Sequence, residues 1–325
     1  MTALANSAAT VVHLPLSHTN FRSNLRRPYS LHLPPSVTVT WNSLYHSTAS
    51  SRLTAVPSWN PLSGGNTADE TKSTLKSRLR NGETLYGMFL LSFSPTIAEI
   101  AALSGYDYLV VDMEHGPGGI TESLNCIRAA ASYGIPSIIR VPETSAAWAK
   151  KALDIGPAGL MFPMIESAED AKAAVSYSRF PPAGVRGSAH PVVRASRYGL
   201  NEGYLRNYEE ELLVMCQVET VKGVESAAEI AAVAGVDSVQ MGPLDLSASM
   251  GHLSDPGNEN VREMLRLAET RVLASGGVFL GGFAMPHDPP SDLRSRGYKI
   301  VSGAVDVGLF RAAAVEDVRR FKTGR

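Results

Sequence analysis

Residues 135–164 read IPSIIRVPETSAAWAKKALDIGPAGLMFPM, and the order of patterns in this stretch decides the fold. An apolar, β-branched run (PSIIRV) is followed by AAWAKKALDIG, which has helical period and finishes in glycine; AGLMFPM is then apolar again. Apolar character without strict alternation is expected of strands covered on both faces. Outward from this unit the rhythm repeats about eight times from Glu83 onward, with strands expected in LYGMFLL, YDYLVVD, PSIIRV, AGLMFPM, LLVMCQVE, VDSVQMG, VFLGGFA and YKIVSG. Helices are expected between them, in SPTIAEIAALSG, ITESLNCIRAAASYG, AAWAKKALDIG, SAEDAKAAVSYSRF, KGVESAAEIAAVAG and NVREMLRLAETRVLASGG. Eight βα repeats predict an α/β protein with a closed (β/α)8 TIM barrel rather than an open sheet. No GxGxxG follows the first strand, which removes the main support for a dinucleotide-binding fold. Two segments break the rhythm. Residues 181–211 form a long insertion before the fifth strand, and VDVGLFRAAAVEDVRRFK (305–322) closes the chain as a helix.

The chain of 325 residues would ordinarily hold two domains, but a barrel of ~250 residues with an extension also accounts for it. From Met1 to Thr67 there is no acid and no lysine, only Arg22, Arg26, Arg27 and Arg52 among many Ser, Thr, Ala and Leu. That is the composition of an organelle transit peptide, a plain disordered tail being the alternative. The expected organisation is therefore a transit peptide over residues 1–68, disordered, and a barrel over 69–325. The Ser/Thr-rich start favours a chloroplast over a mitochondrion. No run of 18 apolar residues occurs, so no membrane span is expected. The net charge of −1 hides a basic leader and a mildly acidic remainder, which argues against nucleic acid as a partner. Cys126 and Cys216 sit in apolar segments without ligand spacing and are expected in the core.

Polar residues interrupt the apolar runs where they end: Asp112, Glu114 and His115 after YDYLVV, Arg140 after PSII, Glu219 after LLVMCQV and Asp245 after QMGPL. Strand ends of one barrel converge on one mouth. Glu219 and Asp245 can share a hard divalent cation through oxygen ligands, although either alone could be a helix cap or a surface ion pair. Arg140 would be costly to bury without an anion, either a bound carboxylate or oxyanion or a salt bridge to Asp112 or Glu114. His115 is the best general base, with Asp154 at the end of the next helix as a possible orienter. Gln217 lies two residues before Glu219 and faces the same side, where it could donate to a substrate or fill a core layer. His190 sits on the insertion and could be a loop residue only.

The segments VDMEHG, IIRVP, LDIG, GLMFPMIESAEDA, RFPPAGVRG, QVET, GPLDLSASMGHL and SGAVDVGLFRAAA closely resemble those of the HpcH/HpaI aldolase family, the class II pyruvate aldolases, nearest the 2-dehydro-3-deoxyglucarate and 4-hydroxy-2-oxoheptanedioate subgroup. The resemblance runs from about Leu85 to Phe321 and leaves out the leader. It implies a TIM barrel in which Glu219 and Asp245 hold Mg²⁺, Mn²⁺ or Co²⁺. It also implies that Arg140 contacts the keto oxygen of a pyruvate unit, with Gln217 and the backbone around Leu244 and Asp245 completing the pocket. His115 paired with Asp154 would be the base, and Asp112 would be a further acid at the mouth. The implied reaction is retro-aldol cleavage of a 4-hydroxy-2-oxo acid to pyruvate and an aldehyde, with the metal and Arg140 stabilising the enolate. Family members form dimers with exchanged C-terminal helices, often three to a hexamer, so a homo-oligomer with a small-molecule 2-oxo acid substrate is expected.

Schiff-base chemistry is disfavoured, because Lys150, Lys151 and Lys172 fall in helices, Lys299 opens the last strand and only Lys222 is near the mouth. Met113 and Leu244 stand where relatives have smaller residues, and both are expected to narrow the pocket. The alternatives are a citrate lyase β-like or malyl-CoA lyase-like enzyme, for which no basic CoA region is found, and a noncatalytic metabolite-binding barrel.

Overall fold

The computed structural model describes residues 73–324, so the leader lies outside the described residues. Eight parallel strands close a barrel in chain order: β1 (Leu85–Leu90), β2 (Tyr108–Asp112), β3 (Ser137–Arg140), β4 (Gly159–Phe162), β5 (Leu213–Val218), β6 (Ser238–Met241), β7 (Phe279–Phe283) and β8 (Ile300–Val305). Each lies within or overlaps the run that predicts it. The strands are buried almost throughout, which is why the runs carry no polar alternation.

The helices are α1 (Leu75–Arg80), α2 (Pro95–Leu103), α3 (Ile120–Ser132), α4 (Ala146–Asp154), α5 (Ala168–Ser178), α6 (Tyr204–Glu211), α7 (Val221–Glu225), α8 (Ala227–Ala231), α9 (Pro243–Ser249), α10 (Glu259–Ser275), α11 (Pro290–Ser295) and α12 (Asp306–Thr323). The helix expected over 222–235 is two short ones, broken at Ser226, whose φ of −90° and ψ of 3° leave the helical well. Four helices had no expectation: α1, α6, α9 and α11. Each has only six to eight residues, too few to display helical period.

Two apolar layers hold the structure. Inside the barrel, Leu85, Tyr108, Val110, Ile138, Met161 and Met215 pack together, and Leu75 and Leu79 of α1 join this layer as a plug under the amino end of the strands. The Thr74–Ser77 capping box starts that plug. Outside, residues such as Leu109, Val111, Ile139, Leu160 and Val239 pack against the inner faces of the helices. Both cysteines are in the core as expected, and burial pushes the Cys126 thiol up to about 11 and the Cys216 thiol to about 12.

The closing seam joins the first strand to the last, Leu85 opposite Ile300. Asp306, the first residue of α12, clasps it, because its two carboxylate oxygens accept from the backbone N–H of Leu91 (2.9 Å) and Ser92 (3.0 Å). Asp306 is the buried residue of α12; beyond it Phe310, Val315, Val318 and Phe321 are exposed, so among the described residues the helix leaves the barrel without an apolar partner. Among the described residues no helix is long and apolar enough to cross a membrane.

Candidate active site at the carboxyl end of the barrel

Since all strands run one way, the residues that end them meet at one mouth. Asp112 ends β2 opposite Arg140 at the end of β3, and both are buried. Arg140 Nε donates to Asp112 Oδ1 at 2.8 Å and Nη2 to Oδ2 at 2.6 Å, a bidentate pair. Arg140 Nη1 lies 2.8 Å from Glu114 Oε2, an ion pair not aligned as a hydrogen bond, and donates to Gln217 Oε1 at 3.4 Å. The guanidinium also sits 4.9 Å over the Phe89 ring. The ion pairs considered for Arg140 from sequence are therefore both formed.

The His115 loop is built on the same acid. Asp112 Oδ1 accepts from the backbone N–H of Glu114 (3.1 Å) and of His115 (3.4 Å), and Gly116 N–H donates to Asp112 O at 3.1 Å. A Cβ at Gly116 would stand 2.4 Å from the Phe93 ring and 2.5 Å from Asp112 O, so no side chain fits there. The result is a tight turn that presents the His115 imidazole half-exposed, with Nε2 3.9 Å from Glu114 Oε2.

Glu219 follows β5 and is almost fully buried. Its Oε1 accepts from Met164 N–H at 2.8 Å and its Oε2 accepts from Gln217 Nε2. Met164 offers that N–H from a left-handed backbone, φ 53°, a strained conformation for a side-chain-bearing residue. Burial pushes the Glu219 carboxyl up to about 7; the Met164 N–H opposes this, and the Glu114 and Asp245 charges add to it. Burial likewise raises Glu114, against the attraction of Arg140. Asp245 is exposed in the first turn of α9. A cavity of about 220 Å³ opens among Phe89, His115, Arg140, Gln217, Leu244 and Asp245.

Asp112, Glu114 and Glu219 thus share one arginine, and Asp245 adds a fourth negative charge close to Glu114 and Glu219. No group of three or more His, Cys, Asp or Glu in a ligating arrangement occurs among the described residues. The donor set still fits magnesium or manganese, which bind through one or two carboxylates and complete their shell with water and substrate oxygens.

The structure brings together Asp112, His115, Arg140, Gln217, Leu244 and Asp245 around the cavity, with Glu219 bonded to Gln217. It does not bring Asp154 to His115, and this corrects the expected pairing within one chain. Helices run back along the strands, so the end of α4 returns to the amino face. There Asp154 Oδ1 lies 3.4 Å from Arg186, beside a cavity lined by Pro136, Ala158 and Leu212, residues that precede β3, β4 and β5. His190 also lies away from the mouth, hydrogen-bonded to Ser188. Met113 is packed in the outer core and narrows nothing, whereas Leu244 lines the cavity. Lys299 donates to Gly82 O at the amino end, and Lys222 is exposed, 3.3 Å from Glu166. Sequence reasoning gave no role to Phe89, Met164 or Gln240 and did not foresee Glu114 linking Arg140 to His115. The DMEH spacing, which puts three ionisable groups in one turn, is the signal for the last.

The sequence profile of the HpcH/HpaI aldolase/citrate lyase family matches residues 85–313. A hydroxypyruvate/pyruvate aldolase from Delftia acidovorans is 37% identical over 247 residues, 76% of this chain and 91% of the relative. A 2-keto-3-deoxy-L-rhamnonate aldolase from Escherichia coli is 37% identical over 250 residues, 77% of this chain and 93% of the relative. Among solved structures, an HpcH/HpaI aldolase/citrate lyase family protein from Burkholderia cenocepacia superposes with a TM-score of 0.71 at 38% identity, covering 78% of this chain and all of the other.

Proposed function

Because this chain belongs to the HpcH/HpaI aldolase/citrate lyase family, and is thus an aldolase-type carbon–carbon lyase, we propose that it cleaves 4-hydroxy-2-oxo acids to pyruvate and an aldehyde by class II, metal-dependent chemistry. The observation that carries this reading is the charge imbalance of the mouth, where the buried Glu219 has Glu114 and Asp245 as like-charged neighbours and forms no ion pair among the described residues. Glu219 and Asp245 would hold Mg²⁺ or Mn²⁺, Co²⁺ being a further candidate, and the bound cation supplies Lewis-acid polarisation of the 2-oxo acid.

The protein's own groups do the rest. Arg140, fixed by Asp112 and Glu114, points a preorganised charge at the substrate's keto oxygen. Gln217 braces Glu219 and borders the substrate, and the backbone at Leu244 and Asp245 closes the pocket. His115 takes the proton of the C4 hydroxyl as the C3–C4 bond breaks, Glu114 stabilises its protonated form, and the proton passes to C3 of the enolate to give pyruvate. A role for Asp154 in this step requires a second copy, since one chain places it at the far end.

Two further readings belong here. The exposed apolar residues of α12, which have no apolar partner among the described residues, support a homo-oligomer in which a second copy covers that helix. The acid-free leader supports import into a chloroplast, with residues 1–68 removed from the 69–325 barrel. The deciding experiment is pyruvate release from a panel of 4-hydroxy-2-oxo acids with Mg²⁺, Mn²⁺ or EDTA. Release that EDTA abolishes is the expected result; EDTA-resistant release overturns the class II mechanism, and silence across the panel overturns the substrate class.

A further inference from the structure

The turn that carries His115 rests on more than Asp112. The Phe93 ring packs directly against the backbone of Gly116 and Gly118: a Cβ on either glycine would stand 2.4 Å from a ring carbon, and one on Gly116 also 2.8 Å from Leu91 O. Phe93 is buried and has φ 53°, a left-handed backbone that a side-chain-bearing residue keeps only where its surroundings hold it. The chain just before Phe93 therefore needs an anchor.

Asp306 supplies it. Leu91 and Ser92, the two residues between β1 and Phe93, donate their backbone N–H groups to the two oxygens of its carboxylate, at 2.9 and 3.0 Å. On the other side of Phe93, Ser94 N–H donates to Ser92 Oγ at 3.2 Å, and Ser94 Oγ caps α2 by accepting from Ile97 N–H at 3.3 Å. Asp306 is buried and forms no ion pair among the described residues, so its charge is spent on the two backbone groups, a stiff attachment. The contacts run without a break from the Asp306 carboxylate to Leu91 and Ser92, through the Phe93 ring, to the glycines on either side of Pro117 and so to His115.

Resting on the aldolase reading, we propose that Asp306 is a positioning residue for the His115 base: acting through Leu91, Ser92 and Phe93, its carboxylate sets where the imidazole stands over the substrate. Asp306 itself lies outside the cavity lining, whereas Leu91 and Val305 beside the clasp border the cavity together with His115. A general base works only within hydrogen-bond reach of the proton it takes, so a small displacement of the turn costs rate. Asparagine at position 306 keeps the shape but sets an NH₂ where one oxygen received an N–H, so one of the two backbone donors meets another donor. The loop then shifts, and Phe93 and the turn move with it.

The test measures kcat and KM for pyruvate release with Mg²⁺, on the 4-hydroxy-2-oxo acid that the wild-type chain cleaves fastest, at a temperature where circular dichroism shows each variant folded. The variants are Asp306→Asn, Phe93→Gly, His115→Ala and the two doubles with His115→Ala. Phe93→Gly removes the ring while glycine takes the left-handed backbone without strain. Asp306→Asn and Phe93→Gly are each expected to lower kcat about tenfold with KM changed about twofold or less, because Arg140 and the carboxylates stay in place. In the His115→Ala background neither should cost anything further, since the group they position is gone. A clasp that served stability alone would lower the melting temperature and leave kcat of the folded variant as it was. Unchanged kcat in folded Asp306→Asn, or a loss that multiplies with that of His115→Ala, overturns the proposal, as does His115→Ala with an unchanged kcat. An Asp306→Asn chain that does not fold is replaced by Asp306→Glu, which keeps both acceptors on a longer arm, under the same criteria. Wild-type protein that releases no pyruvate from any of these acids overturns the aldolase reading itself, an outcome distinct from an active enzyme indifferent to Asp306.

Discussion

At the amino end of the barrel, Asp107, Asp237 and Asp154 are each paired with a different cation: Arg78 at 2.6 Å, which also serves Glu83, Lys76 at 2.9 Å and Arg186 at 3.4 Å. At the carboxyl end, Asp112, Glu114 and Glu219 divide one arginine, with Asp245 adding a further charge beside them. The same strands make both ends, so the difference is chemical. The charges before these strands hold the structure together, whereas those at the mouth outnumber the arginine beside them. A pocket at the amino end of similar volume, about 240 Å³, is lined by Arg186 and Tyr208 without that surplus of acid. Size alone would not have told the two cavities apart.

Substitutions at the two ends should fail in opposite ways. Glu219→Gln removes the buried carboxylate and should lower turnover by about a thousandfold or more while abolishing the rise in melting temperature on adding Mg²⁺. Retained metal-dependent cleavage would sink the contrast between the ends. His115→Ala should lower kcat by roughly a hundredfold with little change in KM for the 2-oxo acid, because Arg140 and the carboxylates stay in place; an unchanged kcat would assign the base elsewhere. Gly116→Ala forces a Cβ against Phe93 and Asp112 O, and its displaced imidazole should cost roughly tenfold in kcat. Mg²⁺-induced stabilisation should survive, and its loss would mean that the turn also shapes the carboxylate pair. Lys76→Ala, at the other end, leaves Asp237 half-buried without its partner and should cost about 3 kcal/mol of stability in urea unfolding, with kcat at low temperature untouched. A fall in kcat there would show that the ends are coupled.

The strands were legible because burial on both faces writes itself as unbroken apolar runs, as in LVMCQV. Asp112, Arg140, Gln217 and Glu219 were legible for a related reason, since each is a polar residue where such a run ends and its direction follows from the strand. Asp154 was misplaced because closeness in the chain was read as closeness in space. A helix of nine residues carries the chain about 13 Å back along the strand, to the other end of the barrel. Gln240 lines the cavity yet carried no signal, because one amide in SVQM reads as a core-layer filler. Met164 was hidden for a different reason: its contribution is a backbone N–H in a left-handed turn, and PMI announces no such turn.

The Asp306 clasp bears on how the molecule comes into being. It grips the backbone just after the first strand from 215 positions away. A chain emerging amino end first therefore holds β1 with one edge unpaired until nearly the whole sequence is available, and such exposed edges invite aggregation. Premature termination anywhere before residue 306 would leave a ring with its latch missing.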